Sequence, residues 1–582
     1  MIRRALRLAA VLATVALVTC TNPMLTTVEQ VVQVYNTALY RLNFANGEGI
    51  APTSTIRIVF SKSMNPATME LSGEMAAESD GGVWSTTNNP NDTLSLSPRP
   101  NSTWALGDQR TLSVIVDDLE TYTAEPAHLV YGVLDGVVYA HAGRGNDLNP
   151  GTAELPKKTI QAAINTAEAA YDEAEVWVAE GLYPIYRSIT IRKSIRLRGG
   201  YSHDSWTDRD ELTWALEDNA QYPTVIQYMV HTAVQIEEHA TGFLVEGFSI
   251  EKLGSASGDS RLYVGIDVDS ASGTVRSCRV DGGWQGTEFC AAVMVKGSNL
   301  LIDRSYLYGG TLTPSSYGII ASQAGLHVVN SVVHAGSGHH VGGDSWTRGI
   351  AITGTTATIE RSLVYGGGGS LMSYALRSTM QSETTVINTI VKGGAVNHGL
   401  FVYGIYSRDS VLVARNCVIS GGSSSFSSSM SFKAVTLSGD TEATIENNIV
   451  FVGPVSGSPF RRRGIEADPV MSTLGSLRNN TIYDCPDGLF VWVQDPSVVY
   501  DDIELVNSEL DFASGNVSLS AHFAGQSVDD YRLTGTTPVE VREEGIDGAA
   551  AGWGYNTDRD GLPRIGDGEL GWSMGAHEYQ EP

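Results

Sequence analysis

Eight segments of the 582-residue chain share one sequence frame, and their regular spacing constrains the fold more than any other feature. Each segment has one residue, the anchor, that stands directly before a small or polar residue. The anchors are Ser277, Arg304, Asn330, Arg361, Asn388, Asn416, Asn447 and Asn479, and they lie 27, 26, 31, 27, 28, 31 and 32 residues apart. Self-similarity at this period predicts a solenoid in which each repeat forms one coil and loops absorb the additional residues.

Three columns of the repeat predict how each coil is packed. Apolar residues stand two positions before and three positions after every anchor, as Val275 and Val280 do around Ser277. These two columns predict inward side chains that stack from coil to coil. The position after the anchor holds Cys278, Ser305, Ser331, Ser362, Thr389, Cys417, Asn448 and Asn480. Small polar side chains in a column predict an inward corner, where they hydrogen-bond the backbone or form ladders.

Two cysteines belong to this third column. Cys278 and Cys417 stand five coils apart, or about 24 Å at about 4.8 Å per coil, which is beyond the reach of a disulfide. We predict that both are buried structural side chains and that neither is a nucleophile. The sequence leaves open whether Cys290 and Cys485, which lie outside the column, pair with each other.

The stretch before the repeats contains a turn, an amphipathic helix and two strands. Residues 137–170 read VVYAHAGRGNDLNPGTAELPKKTIQAAINTAEAA, with Pro156 ahead of an apolar helical face, and AEVWVAEGLYP follows soon after. This order closely resembles the opening of right-handed parallel β-helix proteins of the pectate-lyase-like superfamily. The resemblance implies an all-β fold, with a right-handed parallel β-helix over 137–580 and a capping helix near 156–170. The final stretch, YNTDRDGLPRIGDGELGWSMGAHEY, resembles the terminal segment of many β-helix envelope proteins, and we expect it to close the last coil.

The N-terminus carries the features of an export signal. Three arginines among the first seven residues precede Leu8–Val18, an uncharged run that is too short to span a bilayer. The LVTC that follows resembles a bacterial lipoprotein box, which implies a lipoprotein signal peptide over 1–20 and lipidation of Cys20. An ordinary signal with an incidental cysteine is the alternative, because Thr19 departs from the usual Gly, Ala or Ser. We therefore expect an exported lipoprotein of the bacterial cell envelope, anchored to a membrane by its lipid and displayed at the cell surface.

The region between the signal and the β-helix divides into two parts. Residues 21–50 are polar and predict a tether. Over 51–132, alternating apolar residues such as Ile56, Ile58 and Phe60 predict half-buried strands. A strand, then F-S-x-S-M-N-P, then L-G-D-x-x-T-L-S-V resembles the bacterial Ig-like domains of exported envelope proteins. The resemblance implies a small Ig-like β-sandwich that serves as a spacer or stalk.

The charge balance of the chain bears on its partners. The formal net charge is −27, from 38 Lys and Arg against 65 Asp and Glu. Such a surface repels nucleic acid and other polyanions unless cations bridge them, so we predict no nucleic-acid partner. A polysaccharide or a surface protein is the candidate partner, beside the membrane that holds the lipid anchor.

Two loops supply the candidate ligand-contact residues. The loop Gly336–Gly349 contains His339, His340, Asp344, Trp346 and Arg348, and a loop two coils earlier contains Trp284 and Glu288. Tryptophan rings can stack on sugar rings while polar groups bond the sugar hydroxyls, and two adjacent histidines could also bind a metal. The alternative is that polar residues simply fill the loops and each tryptophan packs over a coil edge.

Two carboxylate pairs could carry catalysis or bind a cation. Asp267 and Asp269 lie two apart on one predicted strand, with carboxylates about 7 Å apart, which is compatible with an inverting glycosidase pair or a Ca²⁺ site. A surface ion pair is the simpler interpretation, because Lys296 is expected to stack on Asp269. Asp558 and Asp560 could also bind Ca²⁺, but the rest of an EF-hand pattern is missing and a turn is the alternative. No other cofactor is predicted.

Three functions stay open on these grounds. The leading hypothesis is a non-enzymatic envelope lipoprotein whose elongated surface adheres to a partner or contacts glycans. The first alternative is a polysaccharide lyase or glycoside hydrolase acting in a groove on the β-helix, and the second is a purely structural envelope protein. The catalytic residue sets of pectate lyases and polygalacturonases find no match in this sequence, so the resemblance implies the fold and no particular activity.

Overall fold

The structure, a computed structural model, describes residues 38–210, 221–253, 262–284, 288–338, 345–368, 371–395, 400–423, 430–453, 455, 461–468, 472–493, 497–526, 529–564 and 571–579. The chain divides into two compact units. Of the described residues, the first holds 38–139 together with Gly145–Lys157 and Ala169–Tyr171, and the second holds the others. Among the described residues, no helix combines the length and the apolar composition that crossing a membrane requires.

Two four-stranded sheets form the first unit. One runs in the order Tyr40–Leu42, Ile56–Phe60, Thr93–Leu96 and Val83–Ser85, and the other in the order Gly49–Ile50, Ala127–Val133, Gly107–Ile115 and Glu70–Ser72. All neighbours pair antiparallel except Gly49–Ile50 with Ala127–Val133. The predicted alternation buries Ile56, Ile58 and Phe60 in a single core to which both sheets contribute. A 3₁₀ turn at Pro66–Thr68 and a helix at Glu74–Glu78 lie between the strands.

Residues 38–50, which the sequence analysis assigned to a tether, belong to this folded unit. They contribute the strands Tyr40–Leu42 and Gly49–Ile50, and the side chains of Ala38 and Ile50 lie in the core. Strands of three and two residues are too short to produce a readable alternation, so their polar composition dominated the interpretation. The predicted domain boundaries, 51–132 and 137–580, stay predictions.

The second unit is a parallel β-helix, as predicted, and three long sheets form its faces. Sheet 1 contains Glu173–Ala179, Ser194–Tyr201, Thr241–Glu246, Ser272–Arg276, Asn299–Asp303, Gly325–Val329, Thr356–Glu360, Glu383–Ile387, Val411–Arg415, Glu442–Glu446, Thr473–Arg478 and Ala513–Ser514. Sheet 2 contains Gly181–Ile185, Thr224–Tyr228, Ser249–Lys252, Arg279–Asp281, Tyr306–Tyr308, Val332–His334, Leu363–Tyr365, Ile390–Lys392, Val418–Ser420, Ile449–Phe451 and Thr481–Tyr483. Sheet 3 contains Ile189–Ile191, Thr232–Ile236, Leu262–Asp269, Phe289–Lys296, Ser315–Ser322, Trp346–Thr353, Met372–Thr379, Phe401–Arg408, Ser431–Ser438, Arg461–Ala467, Phe490–Trp492 and Val498–Tyr500.

Each coil visits sheets 1, 2 and 3 in that order, and equivalent strands of successive coils pair in parallel, for example Val275 with Ile302 and Val280 with Leu307. The last pair of sheet 3 is antiparallel. The strand Val137–Ala140 and the helix Ile160–Ala170 come before the coils in the chain. The helix lies within the predicted capping range, and its predicted apolar face is buried: Ile160, Ala163, Ile164 and Ala167.

Every anchor lies at the corner between sheet 1 and sheet 2 in left-handed backbone conformation. The φ angles of the eight anchors lie between 47° and 57°. L-amino acids avoid this region, and among residues with a side chain Asn adopts it most readily, which explains why five of the eight anchors are Asn. The repeated frame therefore marks a backbone turn as well as a packing column.

The residue after each anchor forms the predicted ladder. The backbone N–H groups of Cys278, Ser305, Ser331 and Ser362 each donate to the side-chain oxygen of the next coil's residue at 3.1–3.3 Å. The N–H of Cys417 donates to Asn448 Oδ1 at 2.9 Å, and the ladder continues through Asn480 to Asn516. Cys278 and Cys417 are fully buried, as predicted, and burial raises the pKa of both thiols to about 12.

The residues that follow the last strand of sheet 3 contact two different parts of the β-helix. Ala513–Ser514 pairs with Thr473–Arg478 and Val517 bridges Thr481, so these residues close the last coil. The described residues of 521–579, here called the C-terminal segment, lie instead along the outer face of sheet 2. They include the antiparallel pair Phe523–Gly525 and Asp530–Leu533 and the helix Val539–Glu543, and the helix Ile503–Glu509 precedes them.

The C-terminal segment covers an apolar strip of sheet 2. Leu363, Ile390, Val418, Ile449 and Phe451 from the sheet form one buried cluster with Tyr531, Leu533, Val541, Met574 and Ala576 from the segment. Outward apolar side chains on a sheet face need such a cover, because burial removes their surface from water. The terminal motifs were expected to close the last coil. They instead form part of the cover over the outer face of sheet 2.

Four anchors hold the C-terminal segment in place. The side-chain amides of Asn388, Asn416, Asn447 and Asn479 donate to the carbonyls of Thr557, Ser573, Ile546 and Glu544 at 2.7–3.3 Å. These four are the covered anchors. The uncovered anchors, Ser277, Arg304, Asn330 and Arg361, make no such bond within the described part of the chain, and Arg304 and Asn330 are exposed.

Candidate functional site

The outer face of sheet 3 carries one column of aromatic and basic side chains. Strand pairing aligns Tyr317, Arg348, Tyr374, Tyr403, Lys433 and Arg463 in successive coils, and this set is called the aromatic–basic stripe. Within one strand, Thr347 is fully buried, so its two neighbours, Trp346 and Arg348, stand on the opposite, outer face. The solenoid repeat thus turns one strand position into a continuous row.

Arg348 lies at the centre of an aromatic cluster. Its guanidinium carbon is 4.7 Å from the ring centroid of Trp346, 5.0 Å from that of Tyr317 and 5.7 Å from that of Tyr374. Nη1 donates to the hydroxyl of Tyr317. Arg348 is only 6% exposed and burial lowers its pKa, but a guanidinium keeps its charge. The result is a desolvated cation held by ring faces, with Trp346 37% exposed beside it.

A tyrosine platform adjoins this cluster. The rings of Tyr374 and Tyr403 stack with centroids 4.8 Å apart and planes 6° apart. Tyr406 meets both rings edge-on, at 5.7 Å and 5.4 Å. Lys433 Nζ lies 5.5 Å from the Tyr403 centroid. Tyr374 and Tyr403 are each 8% exposed and Tyr406 is half-buried, so the stacked rings offer a narrow, rigid surface at little cost in conformational entropy.

A buried ion triad ends the stripe. Glu466 accepts from Lys433 Nζ and from Arg463 Nη1, each at 2.6 Å. Two cations therefore share one carboxylate in a place where all three groups are less than a tenth exposed. Arg463 Nε, Thr436 Oγ1 and Arg348 Nε are buried without a hydrogen-bond partner among the described residues. Unpaired buried donors are costly and mark a place where a ligand or water completes the bonding.

The charge of this face is opposite to that of the whole chain. The five strands from Trp346–Thr353 to Arg461–Ala467 hold one carboxylate, Glu466, and seven basic residues: Arg348, Arg377, Arg408, Lys433, Arg461, Arg462 and Arg463. The formal net charge of the chain is −27. A local excess of positive charge on an acidic protein focuses the field on one face and attracts anionic ligands there.

The structure brings together only some of the predicted ligand-contact residues. Trp346 and Arg348 meet in the cluster described above. Trp284 bridges Thr311 in a short parallel ladder near sheet 2, away from the stripe. Glu288 is exposed and directly precedes a strand of sheet 3. His339, His340 and Asp344 lie outside the described residues, as does Cys20, so the predictions about them are untested.

The carboxylate pair lies on an earlier coil of sheet 3. Asp269 pairs in register with Lys296, as expected. Burial, with a further contribution from Asp269, raises the pKa of Asp267 from 3.8 to about 6. A carboxyl group that holds its proton to this pH can act as an acid near neutrality, and the predicted catalytic or Ca²⁺ role of the pair stays a prediction.

The second predicted pair serves a turn. Asp558 is 1% exposed and its carboxylate accepts from the backbone N–H groups of Asp560, Leu562 and Glu578 at 2.9–3.0 Å. Asp560 lies 3.3 Å from His577 Nδ1. Within the described ranges no group of three or more His, Cys, Asp or Glu side chains is arranged to hold a metal ion. These contacts favour the turn over the Ca²⁺ site.

Most of the stripe is hard to recognise in the sequence. The strands of sheet 3 stand out from a glycine onward, as in GIIASQ, GIAITG and GIYSRD, and the stripe residue is the one just before that glycine. Extending each strand by one residue gives Tyr317, Arg348 and Tyr403 in one column. The signal was therefore present, but only strand register shows that the column continues through Lys433 and Arg463.

Comparison with protein-family models found no match, and comparison with curated proteins found none either. Among solved structures, the pectate lyase Pel9A is similar over 76% of this chain and 96% of its own, with 12% identity and a TM-score of 0.37. PfbA, a surface adhesin of Streptococcus pneumoniae, is similar over 56% and 82%, with 12% identity and a TM-score of 0.29. DFA-IIIase from Arthrobacter chlorophenolicus A6, in complex with GF2, is similar over 66% and 99%, with 13% identity and a TM-score of 0.32. At these values the likeness assigns no substrate or activity to this chain.

Proposed function

We propose that the outer face of sheet 3 binds glycan chains without cleaving them, and that acidic glycans are its preferred ligands. The aromatic–basic stripe is the single observation that carries this proposal. Its repeat follows the coil spacing of about 4.8 Å, so a chain laid along the face meets an aromatic or a basic side chain at each step. Sugar rings present an apolar CH face that packs on aromatic rings, and carboxylates accept from guanidinium and ammonium groups.

The buried polar atoms support a ligand with acceptor oxygens. Arg348 Nε and Arg463 Nε are donors without described partners, and a carboxylate or hydroxyl at the surface would satisfy them. Lys433 and Arg463 carry two positive charges against the one negative charge of Glu466. The residual positive charge in a partly desolvated place favours an anionic group over a neutral one.

We further propose that the protein is exported and held at the cell surface as a lipoprotein, with Cys20 lipidated. The two small sheets of the first unit and their common core support an Ig-like spacer between the membrane and the β-helix. Metabolic labelling with a palmitate analogue tests the anchor: the label should appear in the native chain and disappear in Cys20→Ala. A labelled Cys20→Ala chain would contradict lipidation at this residue.

A glycan array tests the binding function. The ectodomain is applied to acidic and neutral polysaccharides, and both retention and release of soluble sugar are measured. We expect retention on acidic glycans, and Arg348→Lys should weaken it about tenfold because lysine keeps the charge but loses the planar fork. Arg408→Lys, an exposed position at the end of a strand of the same sheet, is the matched control. Equal retention of native protein and Arg348→Lys would overturn the proposal.

A glycoside hydrolase is the second candidate, and the raised pKa of Asp267 is the observation that favours it. A protonated carboxyl beside a second carboxylate on the same strand is the arrangement of an acid and base pair. Release of soluble sugar from any polysaccharide, abolished in Asp267→Asn and retained in Glu288→Gln, would establish the hydrolase in place of the binding protein.

A further inference from the structure

A cleft of about 540 Å³ lies on the outer face of sheet 2, a different face from that of the stripe. It opens where the C-terminal segment stops covering the sheet, and Asp529 of that segment forms one edge. The tyrosine cleft is defined by Tyr306, Tyr308, His334, Tyr365, Lys392 and Asp529. Its volume is within the range of sites that hold small ligands.

Two parallel columns of side chains form the walls. Tyr308, His334 and Tyr365 stack along the coil axis with centroids 5.2 Å and 5.3 Å apart, so their edges face the opening. The second column contains Tyr306, Val332 and Leu363, and its last two members are apolar. One wall therefore offers polar ring edges and the other an apolar strip.

The floor of the cleft is bare backbone. A Cβ atom at Gly336 would lie 1.9 Å from the carbonyl oxygen of Gly310, and one at Gly394 would lie 1.9 Å from that of Gly367. No larger residue fits at these positions. The stacked glycines keep the space above them free of side chains, so a ligand can approach the main chain closely.

The charged groups of the cleft cancel, and its histidine is neutral. Lys392 Nζ donates to Asp529 at 2.7 Å, which neutralises both groups. The N–H of Gly336 donates to His334 Nδ1 at 2.7 Å, so the ring proton stands on Nε2, a donor. Burial lowers the pKa of His334 to about 4, which keeps the ring neutral. Neither His334 Nε2 nor the hydroxyl of Tyr306 has a hydrogen-bond partner in the described part of the chain.

We propose that the tyrosine cleft is a second binding site, which takes one uncharged sugar unit of a neutral glycan. A hydrocarbon would leave the His334 and Tyr306 donors unpaired, and an anion would find Lys392 already paired with Asp529. A neutral sugar ring has an apolar face for Val332 and hydroxyls for the opposite wall. The site stands on residues separate from the stripe, so the two proposals can fail independently.

Titration with small sugars tests the site. The full mature chain is mixed with maltose, cellobiose and lactose as neutral probes and with digalacturonate as a charged probe, and binding is followed by calorimetry and saturation-transfer NMR. At least one neutral probe should bind with a Kd on the order of 1 mM. Tyr306→Phe and His334→Phe, which each remove one donor, should weaken this binding at least about fivefold.

Trp346→Ala is the matched control on sheet 3, and it should leave neutral-sugar binding unchanged while it weakens binding to acidic glycans. Tyr306→Phe should keep the native unfolding midpoint, so that its lost binding reports the cleft and not the fold. His334→Phe also leaves the buried Gly336 N–H without its acceptor, so its midpoint should fall, and its binding is measured at a temperature well below that midpoint. The proposal is overturned if no neutral probe binds at about 10 mM, if both Phe variants bind as the native chain does, or if digalacturonate displaces the neutral probe.

Discussion

The covered and uncovered anchors have the same backbone and different side chains. All eight have φ between 47° and 57°, at the same corner of the coil. The covered anchors are all Asn, and each bonds the C-terminal segment. The uncovered anchors are Ser277, Arg304, Asn330 and Arg361, and Arg361 bonds Asn330 and Glu360 instead.

The difference shows two separate demands on one repeat position. The left-handed turn restricts the backbone of every anchor, but it tolerates Ser and Arg where the C-terminal segment makes no bond to the side chain. A cover adds a second demand, since a buried anchor must bond the backbone laid across it. The later coils are built for docking the C-terminal segment, and the earlier coils leave both the tyrosine cleft and the Asp267 coil uncovered. The four predictions below test this contrast, from the largest expected effect to the smallest.

Arg564→Ala should have the largest effect, because Arg564 joins the C-terminal segment to a covered anchor. It is fully buried, pairs with Glu578 at 3.1 Å and donates to Asn388 Oδ1 at 2.7 Å. Its removal leaves a buried carboxylate without a cation and should lower the free energy of unfolding by about 3–5 kcal/mol. Urea unfolding followed by circular dichroism measures the loss.

Arg361→Ala provides the control at an uncovered anchor. Arg361 pairs with Glu360 at a half-exposed site, so its loss should cost about 1 kcal/mol or less. Equal losses in the two variants would contradict the contrast between the covered and uncovered coils.

Asn416→Ala and Asn330→Ala compare the two kinds of anchor at the same φ of 51°. Both lose the tolerance of Asn for left-handed backbone, which costs about 1 kcal/mol. Asn416 also loses its bonds to the Ser573 carbonyl and the Tyr555 hydroxyl, at about 1 kcal/mol each. Asn416→Ala should therefore cost about 3 kcal/mol and Asn330→Ala about 1 kcal/mol in urea unfolding.

Hydrogen exchange separates the two contributions in these variants. Asn416→Ala should speed exchange in the C-terminal segment, and Asn330→Ala should not. If Asn416→Ala leaves that exchange unchanged, the covered anchors do not hold the segment.

Asp267→Asn should show that the ionised Asp267 carboxylate destabilises the folded chain at neutral pH. The pKa of Asp267 is about 6 in the folded chain against 3.8 ordinarily, so the folded state binds more protons between these values. The stability of the native chain therefore falls as pH rises through this window, and the Asn variant lacks that fall. The unfolding midpoint of Asp267→Asn relative to the native chain should rise from pH 4 to pH 7.

Asp269→Asn, at an exposed neighbour, is the matched control for this pH dependence. Its midpoint relative to the native chain should vary less with pH. A pH-independent difference for Asp267→Asn would contradict the raised pKa.

Cys417→Ser and Cys278→Ser should give the smallest effects, and similar ones, although only Cys417 follows a covered anchor. Both side chains point inside the coil, where the C-terminal segment cannot reach them, and serine occupies the same column in Ser305 and Ser331. Each variant should change the free energy of unfolding by about 1 kcal/mol or less and leave glycan binding intact. A thiol reagent should label neither cysteine before unfolding, and rapid labelling of native Cys417 would contradict its burial.

The periodic features of this protein were determined by the sequence itself. Spacings of 26 to 32 residues with two apolar columns allow a solenoid and little else, because each coil must stack the same side chains on the next. The burial of Cys417 followed from its column, and the pairing of Asp269 with Lys296 followed from the count of residues between them. Such features depend on local period, which one chain displays openly.

Only the tertiary structure decided which faces are free and which are covered. Nothing in the motifs around Asp558 says that the C-terminal segment lies along sheet 2, because that contact joins residues 65 to 169 positions apart. The stripe likewise depends on register across coils of unequal length, where Arg348 and Tyr374 become neighbours although 26 residues separate them. Docking and lateral alignment are long-range outcomes of packing, so they carry no period for the sequence to show.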